Sequence, residues 1–188
     1  MRHGETEWNV AGKKQGQGNS SLTAKGRAQA KANALLLKTY TKNELKILVS
    51  PLGRAKETCN IVSSALVKRV HSITVVPELA ELDYGLWQGL TDTEIDEAYP
   101  YERERRYANH WNYRIPNGES YSMVEQRISS FLKNQELNNV LIIAHEMVNR
   151  VVLGNWLSLS ESKTLKLKHP HDIVYVREGK AVRKLQSA

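Results

Sequence analysis

Leu45-Lys46-Ile47-Leu48-Val49-Ser50-Pro51-Leu52-Gly53-Arg54 is the stretch that decides how this chain folds. Five residues, apolar apart from Lys46, have the length of a buried strand and are too few for a buried helix. Ser50-Pro51 closes the run, because proline has no N–H for a sheet ladder and its fixed φ suits the first turn of a helix. The residues from Arg54 to Val62 read as that helix, with Cys59 on its apolar side near Ile61 and Val62. The stretch is thus a strand, a turn and a helix in direct succession.

Working outward, the same pattern returns at Val140-Leu141-Ile142-Ile143-Ala144, an apolar run that ends at His145. Periodicity predicts strands near 45–50, 72–76, 139–144, 172–177 and 181–185, and helices near 24–38, 53–67, 91–98, 121–135 and 147–157. Thr23 and Asp92 are expected as N-caps, and Glu178-Gly179-Lys180 as a hairpin turn. Alternating strands and helices predict an α/β fold, a three-layer α/β/α sandwich with a largely parallel central sheet. The chain of 188 residues is 40% hydrophobic and contains no linker, repeat or low-complexity tract, so one domain over 1–188 is expected.

The chemistry gathers where such strands end. At the start of the chain stands Arg2-His3-Gly4-Glu5-Thr6, followed by Asn9. An imidazole beside a guanidinium suits phosphoryl transfer: the ring nitrogen attacks, the planar fork of donors neutralises phosphate oxygens, and Gly4 is expected to let the backbone approach the phosphate. Arg54, in the first turn of a helix, can share an anion with the helix dipole. His145 lies directly after an apolar run, where open parallel sheets place their ligands. Between them lie Leu79-Ala80-Glu81-Leu82-Asp83-Tyr84-Gly85, which carries carboxyl groups in a glycine-punctuated segment, and Gly118-Glu119-Ser120, which opens a helix.

In this order the motifs resemble those of the histidine phosphatase superfamily, branch 1, the phosphoglycerate-mutase-like group. The resemblance covers almost the whole chain, through Arg2-His3-Gly4-Glu5, Ser50-Pro51 with Arg54, Glu81 with Gly85, Gly118-Glu119-Ser120 and His145. It implies that His3 becomes phosphohistidine, that Arg2 and Arg54 bind phosphate, that His145 is the second pocket histidine, and that Glu81 is the proton donor. Glu78 and Asp83 stand close enough to compete with Glu81 for that role. Asn9 matches a pocket amide, and Gln15-Gly16 fall where relatives contact substrate. The activity implied is hydrolysis of a small phosphorylated metabolite. A phosphoglycerate mutase is the neighbouring alternative, disfavoured by the short stretch from Glu81 to Gly118, and a non-catalytic phosphate binder is the alternative of another class. No metal and no cofactor are implied.

Two departures stand out. Glu146 occupies the place after the second histidine where relatives carry glycine, which puts a carboxylate beside an anion pocket and is expected to restrict substrates bearing a second negative group. Relatives also begin with an apolar strand in mid-sheet that ends at the Arg-His pair, whereas only Met1 precedes Arg2 here. The gap is expected either to stay open or to be filled by another segment; if open, His3 would be held only from its C-terminal side and turnover would suffer.

The formal net charge of +7 suits an anionic substrate. It also raises nucleic acid as a partner, through the basic and aromatic run Arg103, Arg105, Arg106, Tyr107, Trp111, Tyr113 and Arg114. Because that would leave the ordered motifs unexplained, the run is read as a lid over the pocket, with no nucleic-acid and no membrane partner expected and self-association left open. A single cysteine, no bilayer-length apolar run and no leader-like start point to a cytoplasmic protein. His169-Pro170-His171-Asp172 looks like a metal site in miniature but lacks further ligands at suitable spacing, so it is read as a loop before a strand. His71 and His110 have no supporting pattern.

Overall fold

In the computed structural model, which describes residues 1–186, the elements follow in the order α1 (Glu7–Val10), α2 (Ala24–Tyr40), β1 (Leu45–Val49), α3 (Gly53–Ala65) and β2 (Val70–Val75). Then come α4 (Asp92–Ala98), α5 (Glu102–Ala108), α6 (Tyr121–Lys133), β3 (Val140–Ile143), α7 (Glu146–Trp156), α8 (Glu161–Leu165), β4 (Ile173–Glu178) and β5 (Ala181–Gln186). The central sheet has the order β2-β1-β3 and is parallel throughout, with Ile47 opposite Leu141 and Val49 opposite Ile143. β4 and β5 form their own antiparallel pair, turned at Gly179.

The side chains of β1 and β3 alternate between two cores, as a strand's period of two requires. Ile47, Val49, Leu141 and Ile143 face α2 and α3, where Ala34, Leu37, Ala55, Cys59 and Val62 meet them. Leu48, Ile142 and Ala144 face the opposite way, onto Val124 and Ile128 of α6 and Val148 and Val151 of α7. Each buried Leu or Ile contributes about 1.5–3 kcal/mol, so these two faces fix the register of the sheet. Cys59 is inert core, and burial pushes its thiol up to about 11.

Several expectations need correction. Thr91, not Asp92, caps α4: its side chain accepts from the Glu94 N–H, with Glu94 returning the bond to the Thr91 backbone. Asp92 is the first helical residue and pairs with Lys14 at 2.7 Å. The short helices α1, α5 and α8 carry too few turns for periodicity to reveal them.

The start of the chain is also held differently from the expectation. Arg2 makes a parallel bridge to Ala144, the His3 N–H donates to the Ala144 carbonyl at 3.0 Å, and the Met1 carbonyl accepts from the Ala144 N–H at 3.1 Å. His3 is therefore anchored on its N-terminal side as well. Below Met1 the outer edge of β3 pairs with no strand among the described residues. There a cavity of about 710 Å³ separates β3 from β4, lined by Leu37, Leu141, Val152, Trp156, Val174 and Val176 among others. The lining also includes Tyr40, Lys42, Asn139 and Asn149, and the edges of β3 and β4 that face it, unpaired among the described residues, leave a slot wide enough for one more strand. About five apolar residues placed ahead of Met1, at ~3.3 Å each, are expected to run down the slot and raise the melting temperature by several degrees. A glycine-serine extension of the same length should not; equal melting temperatures for the two would refute the slot's geometry.

Candidate active site

Three chain segments end at one crevice, at the carboxyl edge of the parallel sheet. Residues 1–3 deliver His3, Ser50 follows β1, and His145 follows β3 as the N-cap of α7. His3 is 2% exposed and His145 not at all, with ring centroids 5.1 Å apart. Burial, and then the neighbouring positive groups, hold both imidazoles well below the usual histidine range, so both are neutral.

Donors and acceptors fix the proton on His3. Arg54 Nε lies 3.2 Å from His3 Nε2, and a guanidinium can only donate, so Nε2 carries a lone pair. The proton is on Nδ1, which donates to the Gly4 carbonyl at 2.7 Å. His145 Nε2 lies 2.7 Å from the Ser50 hydroxyl, while its Nδ1 is buried with no protein partner. Ser50 Oγ also accepts from the Leu52 N–H at 3.3 Å, and with its own proton or its second lone pair it can meet His145 Nε2 in either tautomer.

Arg54 is 1% exposed yet held from several sides. Its Nη1 and Nη2 donate to the carbonyls of Gly18 at 2.6 Å and Gly16 at 2.8 Å, and its own N–H donates to Asn19 Oδ1 at 2.9 Å. Burial lowers its pKa to about 10, which still leaves it charged at neutral pH. Arg2 is paired with Glu146 at 2.7 Å, and its buried Nε has no partner. The other oxygen of Glu146 bonds Arg150, whose Nη1 donates to the Tyr121 hydroxyl at 3.0 Å.

Glu81 is buried beside the N-terminus of α7, where it accepts from the Leu82 N–H at 2.9 Å, Met147 N–H at 3.3 Å and Val148 N–H at 3.4 Å. Both Arg2 and Arg54 lie close enough to feel its charge. Its rivals are occupied elsewhere. Asp83 turns its carboxylate back to the Gly85 N–H at 2.8 Å, and Glu78 is exposed, with its carbonyl bonded by Arg127. The Gly118-Glu119-Ser120 motif explains how the Glu81 loop is held. The Asp83 N–H donates to Glu119 Oε2 at 3.0 Å, and Arg127 grips both Glu119 oxygens and the Glu81 carbonyl. A Cβ on Gly118 would stand 2.4 Å from the Asp83 carbonyl, so the two loops touch backbone to backbone.

Other expected contacts turn out to be supports. Gly4 is required for packing: a Cβ there would lie 2.2 Å from the Gly26 carbonyl, and one on Gly26 would lie 2.0 Å from the Glu5 carbonyl. Asn9 closes a capping box with Thr6, and Gln15 donates to Thr6 Oγ1 at 2.7 Å. Gly16 reaches the site through the carbonyl that holds Arg54. The basic and aromatic run is spent internally. Arg106 lies over Tyr84 and Trp87, Tyr113 stacks on Trp87, Trp111 stacks on Tyr121, and Arg103 and Arg105 pair with acids of α4 and α5.

His169 and His171, set aside in the sequence as loop residues, do lie in a loop, but that loop abuts the crevice. His171 Nδ1 lies 2.6 Å from the carbonyl of His3, and the two rings are 5.4 Å apart. The His169 carbonyl accepts from Arg2 at 3.3 Å. No sequence signal marks either contact, because each partner is set by tertiary packing.

The crevice has cationic walls and an unprotonated imidazole nitrogen inside, and it lies at the carboxyl edge of a parallel α/β sheet. The chain belongs to the histidine phosphatase superfamily (branch 1), whose sequence profile matches residues 1–182. Among curated relatives it is 32% identical over 170 residues to the 6-phosphofructo-2-kinase/fructose-2,6-bisphosphatase of Gallus gallus, covering 90% of this chain and 34% of that protein. The chain thus spans about a third of the length of the curated relatives it matches. Among solved structures it is similar to the alpha-ribazole phosphatase from Shigella flexneri, at 26% identity and a TM-score of 0.82, covering 100% of this chain and 94% of that one. A mycobacterial glucosyl-3-phosphoglycerate phosphatase is similar at 26% identity and a TM-score of 0.70, over 87% and 80% of the two chains. Among the described residues no helix is long and apolar enough to cross a membrane.

The buried neutral histidines predict how stability depends on pH. His3, His145 and His169 refuse protons that the unfolded chain accepts near pH 6.5, and burial lowers His171 to about 4. A lowered folded-state pKa makes the contribution complete above pH 6.5 and erodes it as the pH falls, by up to about 1.4 kcal/mol per pH unit for each buried ring. The urea midpoint is expected to drop steadily from pH 7 to pH 5. A flat profile would mean that these rings are protonated in the folded protein.

Proposed function

We propose that the chain hydrolyses phosphomonoesters of small metabolites through a phosphohistidine on His3. The observation that carries this reading is the lone pair on His3 Nε2, buried, aimed at Arg54 and set by a proton fixed on Nδ1. Nε2 attacks phosphorus, the bond from phosphorus to the leaving oxygen breaks, and Glu81 in its acid form gives that oxygen a proton. A water then attacks the phosphohistidine, the P–N bond breaks, the ring recovers its lone pair, and Glu81 takes the water's proton. The N–H groups of Arg2, Arg54 and His145 meet the phosphoryl oxygens, where charge builds in the transition state. Every group in the scheme belongs to this chain.

The neighbours support hydrolysis, since the solved structures named above are phosphatases. The substrates in their names differ, which fits a shared phosphoryl pocket under different lids. In this chain Glu146 sits between Arg2 and Arg150, and we infer that its charge opposes a second anionic group on the substrate.

Hydrolysis of p-nitrophenyl phosphate in the presence of EDTA tests the scheme. The wild type is expected to turn over and to carry acid-labile phosphate when quenched, and His3→Ala to do neither; turnover by His3→Ala would exclude His3 as the nucleophile. For Glu146→Gln, kcat/KM on a phosphate ester bearing a second anion should rise about tenfold relative to p-nitrophenyl phosphate, or ~1.4 kcal/mol of lost discrimination. An unchanged ratio would remove Glu146 from substrate selection.

A further inference from the structure

We propose that His169-Pro170-His171 is a clamp on the Arg2-His3 pair, with His171 the positioning residue that fixes the plane of the peptide between His3 and Gly4. The proposal rests on His3 being the nucleophile, and deepens that reading. β3 ends at Ile143 and its partnership with the first residues stops at Ala144, where the His3 N–H is bonded. The carbonyl of His3 therefore points beyond the last rung of the sheet, and no backbone N–H meets it. His171 supplies the missing donor. A carbonyl only accepts, so the contact at 2.6 Å places a proton on His171 Nδ1.

The other end of the same peptide is held by a side chain too: the Gly4 N–H donates to Thr58 Oγ1 at 3.1 Å. Thr58 and His171 thus hold opposite edges of one peptide plane. That plane matters because it leads through the Gly4 Cα into the next peptide, whose carbonyl, that of Gly4, orients the His3 ring through Nδ1, and the ring's orientation aims Nε2. Tilting the peptide turns the nucleophile. Two residues upstream, the His169 carbonyl takes a donor of Arg2, so one short segment touches both members of the pair. Pro170 between them fixes one backbone torsion and keeps the two contacts at a constant separation. The His171 ring also packs on His3, as does a second tilted neighbour, His145, and both confine the imidazole further.

The test compares His171→Asn, whose side-chain amide can still donate near the Nδ1 position, with His171→Leu, which fills space and donates nothing. Rapid-quench measurement of phosphoenzyme formation from radiolabelled substrate should show His171→Leu slowed about tenfold to a hundredfold, the range that a small displacement of a reacting group produces. KM should stay within a factor of about two, and His171→Asn should recover most of the rate. Nitrogen NMR of the His3 ring reads the clamp without catalysis: a sharp Nδ1–H form in wild type and His171→Asn, and an averaged signal in His171→Leu. Wild-type rate and spectrum in His171→Leu, or equal losses in both variants, would overturn the proposal. Absence of phosphoenzyme in the wild type would instead refute the phosphohistidine reading, and the NMR comparison would still decide the clamp.

Discussion

The site depends on one buried hydrogen bond, from Arg54 Nε to His3 Nε2. A guanidinium almost wholly out of water is expensive unless its donors are met, and here two carbonyls of the 15–19 loop and the imidazole lone pair meet them. The bond does three things at once. It orients a cation toward the attack position, it forces the His3 proton onto Nδ1, and it ties α3 to residues from the far end of the sheet. In the reading proposed here, the oxygens of an arriving phosphoryl group are better acceptors than a neutral nitrogen, and the donor that meets the lone pair turns to them.

Around that bond the chain is arranged as a set of supports for His3, His145 and Glu81. Thr58 and the β3 edge hold His3. Ser50, at the end of β1, sets the ring of His145. Glu119 and Arg127, neither of which contacts the reacting atoms, hold the loop that carries Glu81. The carboxyl end of the sheet therefore supplies position, while the segment from Asp92 to Arg114 closes on its own aromatic stack against Trp87 and Tyr121.

What was legible in the sequence follows from how local each signal is. The apolar runs at 45–49 and 140–143, the turn at Ser50-Pro51 and the cap at Thr23 are decided within a few residues, and the structure has all of them. The placing of His3, Arg54, Glu81 and His145 in one crevice was legible because His145 follows a strand, Arg54 opens a helix, and all four belong to motifs in a fixed order. Contacts made by backbone atoms were not. Nothing in the string says that the carbonyl of His3 needs a donor from residue 171, that Gly4 is excluded from bearing a Cβ by the backbone of Gly26, or that Glu119 will meet the N–H of Asp83. The partners of the basic run were not legible for a related reason: whether an arginine meets a partner or solvent is set by the acids and rings that tertiary packing brings to it.

The bond between His171 and His3 joins residues 168 positions apart, and Arg2 reaches His169 across nearly the same span. A contact of that separation closes almost the whole chain into a loop, and loops of that length form late, after local helices and neighbouring strands are in place. The pocket is then the part of the molecule that exists only when everything else does. A population that has its helices and its three-stranded sheet, but has not joined residues 2–3 to residues 169–171, would look folded by circular dichroism and still lack the crevice.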